Sequence, residues 1–515
     1  MVFCERKSQE SVVVELPALA RAEANQGDVG IDENADIRQG DDVALAYYRK
    51  ARQTEISEAE QKRVLRKIDL HLMPLLMVSG FLQYLDKQSL NYSVIYELRE
   101  DLGLVGKQFS WVSSMFYFGY LVWQFPSLLL LQKFPVGKYF SLQVFAWGCF
   151  SLLMATTSNF GGLAALRFLL GAAESVQLAA FVIITNMYYK REEHAYRLML
   201  WYAMNGVAII AGGLFAYGVG HIRSSVALWK FPFLVCGSLS TAWSVVLLFL
   251  LPSNPTSAWF LNETERAIAI ARVYENKTGV ESKTFKRDQA VEALKDPKVW
   301  LNAISTGAGN ILGGVSAFAG LIIKGFGFSA LQTQLLQCPT GLIELISLLV
   351  FCSAATFIPN SRLTLSLVAT AVALAGSIML YAVNLNHRWA LISGFWLMTG
   401  FIPNSFILGL GTVSANIGGH TKKLTAQAVF FICYSVGNIV GPQLYTSAPY
   451  RQGLRANVVT LVVVLVTNSL NIVYMIYENR QRRKYLDANK DHLREEDYAF
   501  RDYTDKQNPF CFNIL

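Results

Sequence analysis

The chain is predicted to be an all-α membrane protein, with twelve transmembrane helices in two six-helix halves. Three observations carry that prediction. Only 16% of its 515 residues are charged, where a soluble protein carries about 25%, and its mean hydropathy is +0.32. The charges gather in residues 1–67, in 252–298 and after 477, with long apolar runs between them. Each run is near the roughly 20 residues a helix needs to cross the hydrocarbon core. One long polar interruption, 252–298, divides the runs six and six. The short alternating strands of a membrane β-barrel are not visible.

Taken in order, the chain opens with a polar tail, 1–66. Residues 20–45, rich in Asp, Glu, Asn, Gln and Gly, are expected to be disordered. Residues 56–68 are expected to form an amphipathic helix. Its cluster Lys62, Arg63, Arg66 and Lys67 would meet an anionic leaflet. The N-terminal bundle, 67–251, holds spans 1 to 6 at 70–95, 110–131, 139–158, 161–187, 198–220 and 232–251. The central loop, 252–298, starts with the helix-stopping Pro252-Ser253-Asn254-Pro255 and carries eight Lys and Arg against seven Asp and Glu. The C-terminal bundle, 299–477, holds spans 7 to 12 at 299–323, 329–353, 364–383, 389–412, 424–446 and 456–477, and a tail, 478–515, follows.

Basic residues are denser in the loops on the side of both tails, among them Lys133, Lys138, Lys190, Arg191, Arg362, Lys422 and Lys423. That bias places both termini in the cytoplasm. The net charge of +8 is that of a membrane protein with basic edges and does not argue for nucleic acid. Seven scattered cysteines show neither a disulfide framework nor a ligand spacing, so no metal and no cofactor are expected. No nucleophile with an adjacent base is visible, and an enzyme is not expected.

Ionisable residues inside spans are costly and mark functional positions. Span 4 carries Arg167 and Glu174, seven residues apart. At 100° per residue both side chains return to one face, about 10 Å apart along the axis, with Gly171 between them. They read either as an ion pair within the bundle or as an anion-binding cation beside a proton carrier. Span 1 carries the adjacent pair Asp86 and Lys87. Asp86 and Arg167 fall at similar depths, so Asp86 is expected to pair with Arg167, or Lys87 with a substrate anion. Glu174 lies near the midplane, where low dielectric disfavours a bare carboxylate. Between spans 4 and 5, the charged run 188–197 reads as a solvated turn or a gate. In the second half, Glu344 stands out in span 8, and Lys324 ends span 7. Gly437-Asn438-Ile439-Val440-Gly441-Pro442 interrupts span 11, as cavity-lining helices do.

Together these segments resemble the major facilitator superfamily, and within it the fungal anion:cation symporters of the allantoate permease type. The runs that carry the resemblance are Arg66-Lys67-Ile68-Asp69, Gln83-Tyr84-Leu85-Asp86-Lys87, Phe116 to Pro126, Arg167 to Glu174, Trp201 to Gly206, Asn416 to Lys423 and Gly437 to Gln443. The resemblance implies a proton-coupled symporter of a small organic anion, such as a ureide or vitamin carboxylate. It implies Asp86 and Glu174 as proton sites and Lys87 and Arg167 as anion-facing cations, with Asn205 and Asn438 as polar neighbours of the substrate. Its partners would be the anion, protons and the bilayer, without nucleic acid, and the chain would act as a plasma-membrane monomer. The wider family includes sugar-acid proton symporters with an Asp-Arg pair in the first helix; Lys87 departs from that Arg and offers a point charge without a planar fork. Gln132-Lys133-Phe134-Pro135 stands where the superfamily has Asp-Arg-x-Gly, so an acidic gate residue is missing there. An exporter of a hydrophobic metabolite and a nutrient receptor without net flux are the alternative readings.

Overall fold

The computed structural model describes residues 57–190, 193–274, 286–445, 450–489 and 504–513. The disorder expected for residues 20–45 therefore lies outside the described residues. Among the described residues no strand occurs, and eleven helical segments are long and apolar enough to cross a membrane. Span 3, helix Val136–Met154, has 19 residues and is long enough; Lys138 and Gln143 make it more polar than the others.

Span 1 is one helix, Glu58–Val94. It begins in a capping box, with the Glu60 N–H donating to Ser57 Oγ at 3.3 Å and the Ser57 N–H to Glu60 Oε2 at 3.0 Å. The amphipathic helix expected at 56–68 is therefore not separate. The residues between Glu58 and Pro74 are mostly good helix formers, and none is Gly or Pro, so nothing ends the helix before the membrane. Spans 2, 5 and 6 are the helices Gln108–Lys133, His194–Val219 and Lys230–Leu250. Spans 9, 10 and 12 are Arg362–Ala382, Arg388–Asn416 and Arg451–Ala488.

The other four spans are interrupted. Span 4 is Phe160–Glu174 followed by Gln177–Tyr188. Span 7 breaks at Leu312 between Pro297–Ile311 and Gly313–Gly325, in a run holding four glycines from Gly307 to Gly314. Span 8 is Ala330–Leu335 and then Cys338–Phe357, with Pro339 in the first turn of the longer piece. Span 11 is His420–Val440 and ends in a 3₁₀ turn, Gly441–Leu444. Pro442 thus lies just beyond the α-helix and not inside it, because it lacks the N–H that would continue the ladder.

Spans 1, 2 and 3 pack on spans 5, 4 and 6; six positions on, spans 7, 8 and 9 pack on 11, 10 and 12. The halves repeat one plan, and they meet where span 5 lies on span 8 and span 2 on span 11. At the 5–8 crossing a methyl on Gly206 would come within 2.6 Å of the Gly341 carbonyl oxygen, so only glycine lets the backbones approach this closely. Hydrogen bonds join the halves on the face away from the central loop. Asn91 Nδ2 donates to Gln337 Oε1 at 2.6 Å, and the Gly320 N–H donates to Asn91 Oδ1 at 2.8 Å. Ser114 Oγ donates to the Ile439 carbonyl at 2.8 Å, and Gln443 Nε2 to Ser114 Oγ at 3.0 Å.

Among its described residues the central loop contains a 3₁₀ turn, Pro255–Ser257, and two α-helices, Glu263–Tyr274 and Arg287–Lys295. The first α-helix is fastened to the N-terminal half by Lys67–Glu265 at 2.6 Å and Arg272–Glu193 at 2.7 Å. Arg197 grips Asp69 with two parallel bonds of 2.8 and 3.1 Å. Glu193 and Arg197, in the run read as a solvated turn or a gate, are therefore ion-paired. Residues 191 and 192 lie outside the described residues.

The second helix and the segment Thr504–Asn513 build a buried ionic cluster on the C-terminal half. Asp505 sits 2.6 Å from both Lys298 and Lys422. Lys422 also lies 3.0 Å from Glu292 and 2.8 Å from Asp296, and Lys298 lies 3.0 Å from Glu478. Arg482 donates to the carbonyls of Asp505 and Cys511. Lys422, read from sequence as a basic loop residue, is fully buried here, because three carboxylates surround its ammonium. Burial alone would raise the Asp505 carboxyl; Lys298 and Lys422 outweigh it and hold the group below the ordinary aspartate range.

Candidate functional site

Helix geometry decides which side chains of span 1 face the interface. Tyr84, Lys87 and Gln88 share a face at i, i+3 and i+4, and Asp86 points elsewhere. The three line a central cavity between the halves, with about 1370 Å³ of atom-free space including its mouth. Asp86 turns into the N-terminal half instead. It is fully buried and accepts hydrogen bonds from Ser151 Oγ at 2.9 Å and Ser240 Oγ at 2.6 Å, on spans 3 and 6. The expected Asp86–Arg167 ion pair is not made among the described residues, because those hydroxyls occupy both carboxylate oxygens.

Lys87 makes no ion pair among the described residues. Its ammonium lies 5.0 Å from the ring centre of Tyr117, 5.9 Å from Phe116 and 6.0 Å from Tyr84. Aromatic faces attract a cation and leave its charge unneutralised. Arg167 is 2% exposed, and its Nε and Nη2 have no hydrogen-bond partner. Its guanidinium lies 5.9 Å from the Phe233 ring. Arg167 does not reach the central cavity; with Lys87 it lines a smaller cleft beside it. Gly171, on the same face, presses against span 2 so closely that a methyl there would overlap the Phe116 carbonyl.

Glu174 ends the first piece of span 4. Its Oε2 accepts from Gln83 Nε2 at 2.5 Å, while Oε1 is buried without a partner. Neither cavity is lined by Asp86 or Glu174. Arg167 and Glu174 make no ion pair with each other, so the mutual-neutralisation reading of their spacing fails. Asn205 and Asn438 line the central cavity together with Lys87. Asn438 is already engaged, donating to Asn310 Oδ1 at 3.2 Å and to the Tyr434 carbonyl at 3.0 Å beside the break in span 7. Any side chain at Gly313 would overlap it.

Glu344, given no role from sequence, also lines the cavity. It shares a face of span 8 with Gln337 and Thr340, is 3% exposed, and its carboxylate makes no hydrogen bond or ion pair among the described residues. Its charge in an apolar run was the visible signal; the direction it faces was not. The glycines from Gly307 to Gly314 were the unused signal for the break that opens span 7 onto the cavity. The cavity thus sets one cation and one carboxylate, both unpaired, among amides, hydroxyls and aromatic rings, an arrangement suited to holding a polar solute.

Comparison with known proteins agrees with this architecture. The family model described as Major Facilitator Superfamily matches residues 76–442. An uncharacterized transporter of Schizosaccharomyces pombe, C460.05, is 39% identical over 438 residues, covering 84% of this chain and 82% of its own length. The allantoate permease of Saccharomyces cerevisiae is 32% identical over 485 residues, covering 91% and 89%. Among solved structures, a bacterial homolog of the human lysosomal transporter Spinster, inward-facing and unoccupied, superposes with a TM-score of 0.56 at 14% identity. That match covers 81% of this chain and 97% of the other. With the family model matching most of its length and relatives above 30% identity along nearly all of it, the chain belongs to the major facilitator superfamily of membrane transporters.

Proposed function

We propose that this transporter is a proton-coupled symporter of a small organic anion, working by alternating access. The observation that carries the reading is Lys87, a half-buried cation on the wall of the central cavity without an ion-pair partner among the described residues. A buried charge without a counter-ion is costly, and a substrate carboxylate supplies the missing charge. Similarity to a protein named for allantoate, itself a carboxylate, supports the class. Arg167, with bare donors in the adjoining cleft, is the second anion-facing cation. Asn205 is a polar neighbour of the substrate, and Asn438 contributes through whatever capacity its two bonds leave.

Glu174 is the favoured proton carrier, since one carboxylate oxygen is buried and unpartnered. Asp86, with both oxygens occupied, comes second. A proton on Glu174 and an anion on Lys87 together remove buried charge, which lets the two repeated halves rock around the site. The halves correspond to 67–251 and 299–477, bridged by 252–298. The basic-loop bias supports cytoplasmic termini, and the plasma membrane and a monomeric state complete the reading.

The test is uptake of labelled carboxylates, allantoate among them, into proteoliposomes with and without an acid-outside gradient. Accumulation that needs the gradient, and that is lost in Glu174→Gln and in Lys87→Met, is expected. Uptake that ignores the gradient and survives both substitutions overturns the symport reading and favours a facilitator of uncharged metabolites.

A further inference from the structure

Lys87 and Glu344 face the central cavity from opposite halves, and neither makes an ion pair among the described residues. A bond that is made shows how near they stand in depth. Asn91 lies one turn beyond Lys87 on the same face of span 1 and is hydrogen-bonded to Gln337 at 2.6 Å. Gln337 caps the longer piece of span 8, two turns before Glu344 on the same face. Spans 1 and 8 cross the membrane in opposite senses, so both steps lead from the joined far face toward the central-loop side. At 1.5 Å per residue, Lys87 lies about 6 Å below that bond and Glu344 about 10 Å below it. The difference, about 4 Å, is less than the length of a lysine side chain. Lys87 and Glu344 are therefore the next rung below Asn91 and Gln337, and the rung is not made. Other cations do not compete for Glu344. Spans 9 and 10 pack on span 8 and carry no ionisable side chain between Arg362 and Tyr381 or between Arg388 and Asn416. Span 5, on its other side, brings Arg197, which Asp69 holds. Lys87 is the charged group whose field reaches Glu344.

We propose that Glu344 is the cavity's own counter-ion for Lys87, the group that neutralises it when the carrier is empty. This rests on the preceding reading in one respect, that a solute anion settles on Lys87 in the loaded carrier. The anion supplies the missing charge on the way in. The carrier must then return without it, and the cavity would close around a bare cation on one wall and a bare carboxylate on the other. Enclosing either alone is costly, and joining them in a charge-assisted hydrogen bond offsets that cost. Because the partners belong to different halves, making the pair also draws the halves together around an empty cavity. Lys87 is suited to the exchange. The rings of Tyr117, Phe116 and Tyr84 hold its ammonium without neutralising it, and its flexible stem can turn from the rings to a carboxylate. Solute and Glu344 thus take turns on one ammonium.

The experiment reads the separation of the halves in the purified full chain, in lipid nanodiscs, with no solute and no gradient. Spin labels are placed through Tyr196→Cys and Leu424→Cys, exposed positions at the central-loop ends of spans 5 and 11. The native cysteines are replaced by alanine, and distances are measured by double electron–electron resonance. The empty chain with Lys87 and Glu344 intact is expected to show a short-distance, closed population beside the open one. Glu344→Gln and Lys87→Met are each expected to lower the ratio of closed to open by about tenfold. Exchanging the charges, Lys87→Glu together with Glu344→Lys, is expected to restore the ratio. A merely structural role for either side chain would not be rescued in this way, and the rescue also shows that the single variants lost a charge and not their fold. An empty chain without a closed population, single variants with an unchanged distribution, or a charge exchange no better than the single variants overturns the proposal. Neither solute nor proton gradient enters the measurement, so a chain that behaves as expected here yet fails to take up carboxylates against the gradient sinks only the preceding reading.

Discussion

Two groups of buried charge in this molecule are arranged in opposite ways. In the membrane interior, Arg167 and Glu344 are buried, Lys87 is half-buried, and none of the three makes an ion pair among the described residues. On the C-terminal half's loop side, Lys298, Lys422 and Asp505 are buried and each makes two or more ion pairs. Folding alone accounts for the second group, since every charge found its counter-charge. The first group has no such account, and a ligand is the natural completion. Burial therefore does not mark a binding residue; burial without a partner does.

The largest effect expected from breaking this contrast is on stability. Lys422→Met takes the shared ammonium from Glu292 and Asp296 and leaves Asp505 to Lys298, and removing one member of a buried ionic group costs about 3–5 kcal/mol. A large drop in Tm and in folded yield should follow, while Lys87→Met should melt with the native chain or above it. Equal melting of the two variants would erase the distinction. Next in size, Lys87→Met should weaken carboxylate binding by about 2 kcal/mol or more, roughly 30-fold. Lys87→Arg should recover part of it, and a titration in detergent reads both.

A smaller effect is expected where the halves are joined. Asn91→Ala removes the acceptor of the Gly320 N–H and a donor to Gln337, costing about 1–3 kcal/mol for groups left unpaired. Thiol-reagent labelling of a cysteine placed on the far face should speed up in this variant, and unchanged labelling would mean these bonds do not hold that face shut. The smallest effect is a pH dependence. Asp505 has a folded-state pKa below its unfolded value of 3.8, so its contribution is fully present above about pH 4 and is lost as the pH falls through the depressed value. Hydrogen exchange in residues 504–513 should accelerate in that acid window alone, and Asp505→Asn should already exchange fast at neutral pH.

The fold was legible because its signal is carried by long apolar runs, which survive one residue of error at either end. Breaks inside spans 4, 7 and 8 were not, since a single turn such as Ser175-Val176 barely alters the hydropathy of its neighbours. Within the site, depth could be computed from 1.5 Å per residue, and Asp86, Lys87, Arg167 and Glu174 were all visible as charges in apolar helices. Facing was harder. Lys87 and Asp86 are adjacent, yet one lines the cavity and the other is bonded to Ser151 and Ser240, which lie 65 and 154 residues away. No local pattern announces such partners. Lys422 misled for the same reason: in sequence it belongs to a basic turn, and its carboxylates arrive from residues 292, 296 and 505.

That last separation has a consequence in time. The Asp505 carboxylate that Lys298 holds at 2.6 Å is encoded 207 residues downstream. At about 5–20 residues per second, the lysine emerges from the ribosome roughly 10–40 s before its partner exists. Through most of that interval the second half of the transporter must be inserted with an unclaimed ammonium at its edge; Glu478 reaches it first, and the charge balance is finished only when the segment bearing Asp505 arrives.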